Sequence, residues 1–175
     1  MKVVVGMLFV AALLAPAPDL TVGGDVPDIA LKALDGKECS IKGLTDAGKV
    51  VAVVNWSVDC PSGKPCIGRA TEVAKKYASN EKVAYIAIVS YGDAADKVSA
   101  YAKENSIGYA LVHDGDKKVA KHFGSKQVNS AYVISGGKLF WRGGITKDGK
   151  DGFADAIQAA LDGKPAPESD KKFPG

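Results

Sequence analysis

Apolar residues in this chain fall into short β-branched runs separated by stretches of helical spacing. Residues 50–56 (VVAVVNW) are continuously apolar and β-branched, the pattern of a central strand covered on both faces. Residues 83–90 (VAYIAIVS) repeat that pattern. Between the two runs, Ala70, Val73, Ala74 and Tyr77 recur at three- and four-residue intervals and predict a helix over 66–79. Residues 93–105 read as a second helix, with Asp93 as N-cap and Ala94, Val98, Tyr101 and Ala102 on one face. A short strand over 109–113 and a short helix over 116–123, ended by Gly124, follow. Residues 131–135 and 138–142 flank Gly136-Gly137, a two-residue hairpin loop. The last helix covers 151–161, with Phe153, Ile157 and Leu161 at four-residue spacing. Upstream, residues 21–27 form a lead-in loop. Residues 29–34 read as a strand, Asp35-Gly36 as a turn, and 37–44 as a returning strand. Alternation of strand and helix from Val50 onward, closed by a hairpin, predicts a mixed sheet with helices on both faces.

The two ends depart from this pattern. Lys2 precedes an apolar run over 3–14, broken only by Gly6, and then comes Ala15-Pro16-Ala17. A positive start, an apolar stretch and an A-x-A-like end read as a secretory signal over 1–17, with its cleavage site open because Pro18 follows. The alternative for this run is a buried first strand over 3–5. The run is too short for a membrane helix, which needs about 20 residues, so a stable span arises only as an anchor if the signal stays uncleaved. The signal predicts an extracytoplasmic protein, periplasmic or secreted. Residues 18–163 then form the folded domain, and 164–175, rich in Pro and charge, read as a loose tail.

Composition narrows the function classes. The chain has 46% hydrophobic and 25% charged residues, an ordinary globular balance that fits one domain in 175 residues. Its 23 basic and 20 acidic side chains are well mixed, and no basic stripe points to nucleic acid. Three cysteines are too few for a disulfide framework. His113 and His122 lack ligand spacing to any cysteine, so no metal is expected. Asp114-Gly115-Asp116 lacks the remaining ligands of a calcium loop and reads as a turn.

The chemistry centres on Cys60, which follows the first buried strand and precedes a helix. Loops at the carboxyl ends of such strands are where α/β sheets place their sites. A thiol there feels the positive end of the helix dipole, which favours the reactive thiolate. Pro61 suits a first helical turn, and Lys64 adds positive charge nearby. Asp59 either raises the thiol pKa by like-charge repulsion or caps the helix. The competing reading of Cys60 is a buried, inert thiol.

The stretch Val53-Val54-Asn55-Trp56-Ser57-Val58-Asp59-Cys60-Pro61 resembles the thioredoxin-like superfamily, in its redoxin and TlpA/ResA-type branch, related to AhpC/TSA proteins. Asp35-Gly36-Lys37, Gly48-Lys49, Lys75-Lys76-Tyr77, Asp114, and the closing Ala131-Tyr132-Val133-Ile134 with Gly136-Gly137 and Arg142-Gly143-Gly144 extend the resemblance over 24–163. It implies a thioredoxin-like three-layer α/β/α sandwich with a mixed central sheet. It also implies an exported thiol–disulfide oxidoreductase, an antioxidant-type redoxin needing no cofactor. Cys60 would be the nucleophile, and its partners protein or small-molecule disulfides and thiols, or a peroxide. Trp56, Ser57, Pro61 and Asn129 would line the substrate site.

Two positions depart from the family. Three residues after Cys60, where a resolving cysteine is expected, stands Gly63. Asn129 stands where a cis-proline is expected, and a non-proline cis bond costs about 2.5–4 kcal/mol, so this bond is expected trans. Cys66 is then either a resolver or core filler. If 60–66 were all helical, its Cα would lie about 9 Å from that of Cys60, too far for a disulfide. Pairing requires Cys60 to lie before the helix, or 63–65 to unwind. Cys39 reads as packing or bystander. A peroxidase would need an arginine at Cys60, and neither Arg69 nor Arg142 is placed there by sequence. The non-enzymatic alternative is a redox-silent thioredoxin-fold binding module.

Overall fold

The computed structural model describes residues 20–61, 63–146, 149–150 and 152–169. The proposed signal over 1–17 lies outside the described residues. β1 (Ala30–Lys32) pairs antiparallel with β2 (Glu38–Ser40) across the Asp35-Gly36 turn. Gly36 sits at φ +85°, where a side chain would be strained. The returning strand is shorter than 37–44, because Ser40 stops it. Its Oγ accepts the Gly43 N–H at 3.0 Å and caps a helix, α1 (Ile41–Asp46). Ile41 and Leu44, three residues apart, suit one helix face as well as a strand, and the cap decides between them.

Five strands make the main sheet, in the order β5-β4-β3-β6-β7. β3 (Val50–Asn55), β4 (Val83–Val89) and β5 (Ala110–His113) run parallel. β6 (Ser130–Ser135) is antiparallel to β3 and turns at Gly136-Gly137 into β7 (Lys138–Gly144). Every residue of β3 is buried, as its unbroken apolar run requires. Val50, Ala52 and Val54 face a core built with α2 (Lys64–Tyr77), Val98 of α3 (Ala95–Glu104), and α5 (Phe153–Asp162). Val51 and Val53 face the opposite core with Leu31, Ile41, and Val119 of α4 (Lys118–His122). Each fully buried valine contributes roughly 1.5–3 kcal/mol, so the central strand binds both helical layers together. The result is the mixed sheet with helices on both faces that the pattern predicts, in the three-layer α/β/α sandwich that the resemblance implies.

Several boundaries moved for identifiable reasons. α3 starts at Ala95 with Ala94 as N-cap, and Asp93 does not cap it. That side chain turns instead toward Ser57. α4 is shorter than 116–123, and Asp114 caps it: Oδ1 accepts from Val119 N–H at 2.9 Å and Oδ2 from Ala120 N–H at 2.8 Å. The described part of the C-terminal segment lies against the domain. Ala166 packs on the core and the indole of Trp141 donates to the Glu168 carbonyl at 3.3 Å. No helix among the described residues is long and apolar enough to cross a membrane.

Candidate functional site

β3 hands the chain over at Asn55. Trp56 and Ser57, each 1% exposed, then carry it across the carboxyl end of the sheet. The turn that follows is fastened from behind by one carboxylate. Asp93, 2% exposed in the loop between β4 and α3, accepts the Ser57 hydroxyl at 3.0 Å and the Asp59 N–H at 2.8 Å, both on Oδ1. Ser57 Oγ in turn accepts the N–H groups of Asp59 and Cys60, each at 3.2 Å. The His113 ring donates from Nε2 to the Asp93 carbonyl at 2.8 Å and steadies that loop. At the surface, Asp59 pairs with Lys97 of α3. The lysine holds the Asp59 carboxyl below its ordinary range. Both ends of this pair are exposed, so it adds little to stability. Asp59 therefore ties the loop to α3 rather than capping α2.

The turn is hydrogen-bonded to the start of α2. The Cys60 carbonyl accepts from Gly63 N–H at 2.9 Å and Lys64 N–H at 3.3 Å. Gly63 is right-handed helical, with φ −76° and ψ −41°, and the proline in the first turn is Pro65, since Pro61 lies ahead of the helix. A Cβ at Gly63 would stand 2.8 Å from the Ser57 carbonyl oxygen and 3.2 Å from Cys60 Cβ. The first contact is to backbone, so it cannot swing aside. Gly63→Ala is therefore expected to destabilise by about 1–2 kcal/mol: overpacking costs about 1–3, and reduced unfolded-chain entropy returns about 0.4–1. A denaturant midpoint at or above that of the parent chain would contradict this close approach.

A cleft of about 560 Å³ opens beside Cys60. Tyr91 walls it, and Gln127, Val128 and Asn129 face the thiol loop across it. Lys117 lies 5.7 Å above the Tyr91 ring, and burial pushes the Tyr91 hydroxyl pKa up. Asn129 is trans, with φ +73°. Asn tolerates this left-handed conformation better than most residues. Its N–H donates to the Asn55 carbonyl at 2.6 Å, and its carbonyl accepts from Ile145 N–H at 2.7 Å. A proline could make only the second of these bonds. The loop opposite the thiol is thus pinned to β3 by a hydrogen bond.

The sequence-derived residues divide into those at the cleft and those beneath it. Cys60 is half-buried in the cleft wall, Pro61 is exposed beside it, and Asn129 lies across from it. Ser57 reaches the cleft floor, but its hydroxyl is donated inward to Asp93. Trp56 belongs to the core, its ring centroid 6.3 Å from that of Tyr101, and is no wall of the cleft. Cys66 sits in α2 at 9% exposure, in the same core cluster as Trp56, Ile67 and Ala70. Cys39 is half-buried on β2, and burial raises its thiol pKa. No disulfide joins the three cysteines. Sequence reasoning missed Asp93, Tyr91 and Gln127 as site residues. Asp93 and Tyr91 carried one usable sign, a place in the loop after the second buried strand, at the same edge of the sheet as Cys60.

No curated protein matches this sequence. Solved structures do. An uncharacterized conserved protein from Geobacillus kaustophilus superposes with a TM-score of 0.74 at 20% identity, covering 87% of this chain and 88% of that one. A thiol-disulfide oxidoreductase from Bacteroides fragilis gives 0.59 at 17% identity, over 68% of this chain and 89% of that one. A secreted disulfide oxidoreductase from Mycobacterium tuberculosis gives 0.53 at 16% identity, over 63% and 79%. At these identities the likeness is one of fold, and the fold is that of the thioredoxin-like thiol–disulfide oxidoreductases. The AhpC/TSA family matches residues 22–141, from the loop before β1 to the middle of β7, with the whole thiol loop inside it. With that span and that fold, the chain belongs to the AhpC/TSA family.

Proposed function

We propose that this protein is an exported thiol–disulfide oxidoreductase in which the Cys60 thiolate attacks a disulfide held in the adjoining cleft. The observation that carries this reading is the position of Cys60: half-buried, lining a cleft of about 560 Å³, in the loop that joins β3 to the amino end of α2. The amino end of a helix favours a nearby anion by about 0.3–1 kcal/mol, and by up to about 2 kcal/mol at partly buried sites. Asp59 opposes this, but its charge is engaged by Lys97. The chemistry belongs to sulfur alone and asks for no cofactor.

A disulfide fits the site better than a peroxide. Ser57 has its hydroxyl bonded to Asp93, and Arg142 donates to the Leu20 carbonyl at 3.0 Å, so neither is aimed at the thiol. Export is supported by the charged and apolar start of the sequence, and the secreted Mycobacterium tuberculosis neighbour shares the fold. Residues 18–163 would be the working domain. The test is the rate of Cys60 alkylation against pH on the native protein. A midpoint well below about 8.5, the ordinary thiol value, is expected. A Cys60 that stays unmodified until the chain is unfolded would leave the protein a redox-silent binding module.

A further inference from the structure

The cleft beside Cys60 has a charge balance as well as a shape. We propose that it selects disulfides bearing a carboxylate near the sulfur–sulfur bond, and that Lys64 and Lys117 read that charge at its rim. The proposal rests on the function given above and names its substrate class.

The acidic groups around the cleft are engaged. Asp59, in the cleft wall, pairs with Lys97. Asp93 lies behind the loop at 2% exposure, with Oδ1 on the Ser57 hydroxyl and the Asp59 N–H. Asp96 on α3 accepts the Lys97 N–H at 2.8 Å. Beside α4, Asp114 caps the helix and Asp116 pairs with Lys118 at 2.7 Å.

Two cations are left over. Lys64 and Lys117 are exposed, and neither holds an ion pair among the described residues. Lys64 opens α2, and its N–H donates to the Cys60 carbonyl at 3.3 Å. Its charge is felt in the cleft wall: the Asp59 carboxyl is held low first by its bond to Lys97 and, more weakly, by Lys64. Lys117 stands over Tyr91, the ring that walls the cleft, 5.7 Å from its centroid. Gln127 adds an exposed carboxamide, a neutral N–H donor, in the same cleft.

The backbone at Lys117 is held at a cost. It takes the left-handed conformation, φ 59° and ψ 23°, just before α4. A residue with a Cβ is disfavoured there, and glycine, asparagine and aspartate are the usual occupants. Three non-glycine residues among those described have positive φ. Two of them belong to this cleft: Asn129 lines it, and Lys117 covers its Tyr91 wall. Strained backbone of this kind collects at sites that hold ligands. A glycine at 117 would relieve the strain and lose the charge.

The sulfur step is unchanged. The Cys60 thiolate attacks one sulfur of RS–SR, a Cys60–S–S–R bond forms, and RS⁻ leaves with the electron pair. The lysines take no part in it; they favour a carboxylate on R. One unit charge about 7 Å from a carboxylate in water changes its association about threefold. Two such charges give about tenfold. High salt removes the effect, because the screening length falls to about 3 Å at 1 M.

The test mixes the reduced full chain with 3,3′-dithiodipropionate, bis(2-hydroxyethyl) disulfide and cystamine, which place a negative, a neutral and a positive group on the same spacer. Each rate of leaving-thiol release is divided by that of 2-mercaptoethanol with the same disulfide, which removes intrinsic reactivity. Peptide mapping assigns the reaction to Cys60 rather than Cys39, which lines a separate groove of about 570 Å³ with Leu34 and Tyr109. At low salt the anion should exceed the neutral disulfide about tenfold and the cation should be slowest, and in about 1 M sodium chloride the three should converge. Lys64→Gln and Lys117→Gln should each lower the anion-to-neutral ratio about threefold, with the neutral rate kept within about twofold. Lys82→Gln makes the same change of net charge just before β4, at the opposite end of the sheet, and should leave the ratio as it is. A glutamate-flanked peptide disulfide favoured over its lysine-flanked counterpart assigns the carboxylate to a polypeptide. Equal rates for the two peptides, beside a preference for the small anion, assign it to a small molecule. Equal normalised rates for the three small disulfides, or a ratio that falls as far in Lys82→Gln as in Lys117→Gln, overturn the proposal and leave the function standing. No reaction at Cys60 with any of these disulfides sinks the function itself.

Discussion

Cys60→Ser is expected to lower disulfide exchange by more than about 10³-fold while leaving the fold intact. The loss is large because an alcohol does not ionise near neutral pH, and a helix terminus worth about 2 kcal/mol at most cannot make it do so. The fold is expected to survive because backbone groups of Cys60 fasten the loop: its N–H donates to Ser57 Oγ, and its carbonyl accepts from Gly63 and Lys64 N–H. Serine keeps all of these. The unfolding free energy should therefore fall by no more than about 1 kcal/mol, as for a near-isosteric change at a half-buried position. Reduction of a disulfide substrate, followed beside a thermal melt, checks both halves. Residual exchange above about one-tenth of the parent rate would move the nucleophile to another cysteine. Cys39 would then be the candidate, since its groove also reaches solvent.

The fold was legible where one physical requirement dominated. Val50–Asn55 had to be a strand buried on both faces, because no polar residue interrupts it before Asn55. The Gly136-Gly137 turn was equally plain, since both residues take positive φ. Legibility fell where two local rules competed for one residue. Ser40 could continue a strand or cap a helix, and the cap prevailed once Ile41 found the core. Asp93 had the look of an N-cap, yet its carboxylate serves a turn 34 residues earlier in the chain. Such a long-range bond leaves no periodicity to read. The position of the thiol followed from the sequence, and so did the absence of a cysteine three residues on. What that absence meant did not follow, because it depends on where the Ser57 carbonyl lies. Asn129 is the same kind of case. Its sequence shows only a missing proline, whereas the structure shows an N–H that fastens the loop to β3.

These departures share a physical theme. The family places a second thiol and a rigid ring around the nucleophile. In this chain the same space is organised by hydrogen bonds from neutral and acidic groups: Ser57 and Asp93 behind the thiol, Asn129 and Asn55 in front. Rigidity is kept by a different means. A site built this way depends on its buried acceptors, and the most exposed to loss is the carboxylate oxygen that holds both the Ser57 hydroxyl and the Asp59 N–H.

That acceptor is Asp93, and Asp93→Ala should be the most destabilising change near the site. The substitution leaves the buried Ser57 hydroxyl without its acceptor and takes the stronger of two partners from the part-buried Asp59 N–H. An unpaired buried donor costs about 1–3 kcal/mol, so the expected loss is about 2–4 kcal/mol. For a chain of this size that is a fall in Tm of about 5–15 °C. Asp93→Asn keeps an acceptor oxygen at Oδ1 and should lose less than half as much. Ser57→Ala removes the other end of the bond. The Ser57→Ala/Asp93→Ala double variant should therefore be more stable than the sum of the single losses predicts, by about 0.5–3 kcal/mol, the range for groups in one network. Urea unfolding of the four proteins beside the parent measures this directly. Strict additivity would mean that Asp93 stabilises the domain by some route other than the thiol loop. Coupling would instead tie the stability of the turn to the placement of Cys60, and exchange activity should then fall in the same order as the unfolding midpoints.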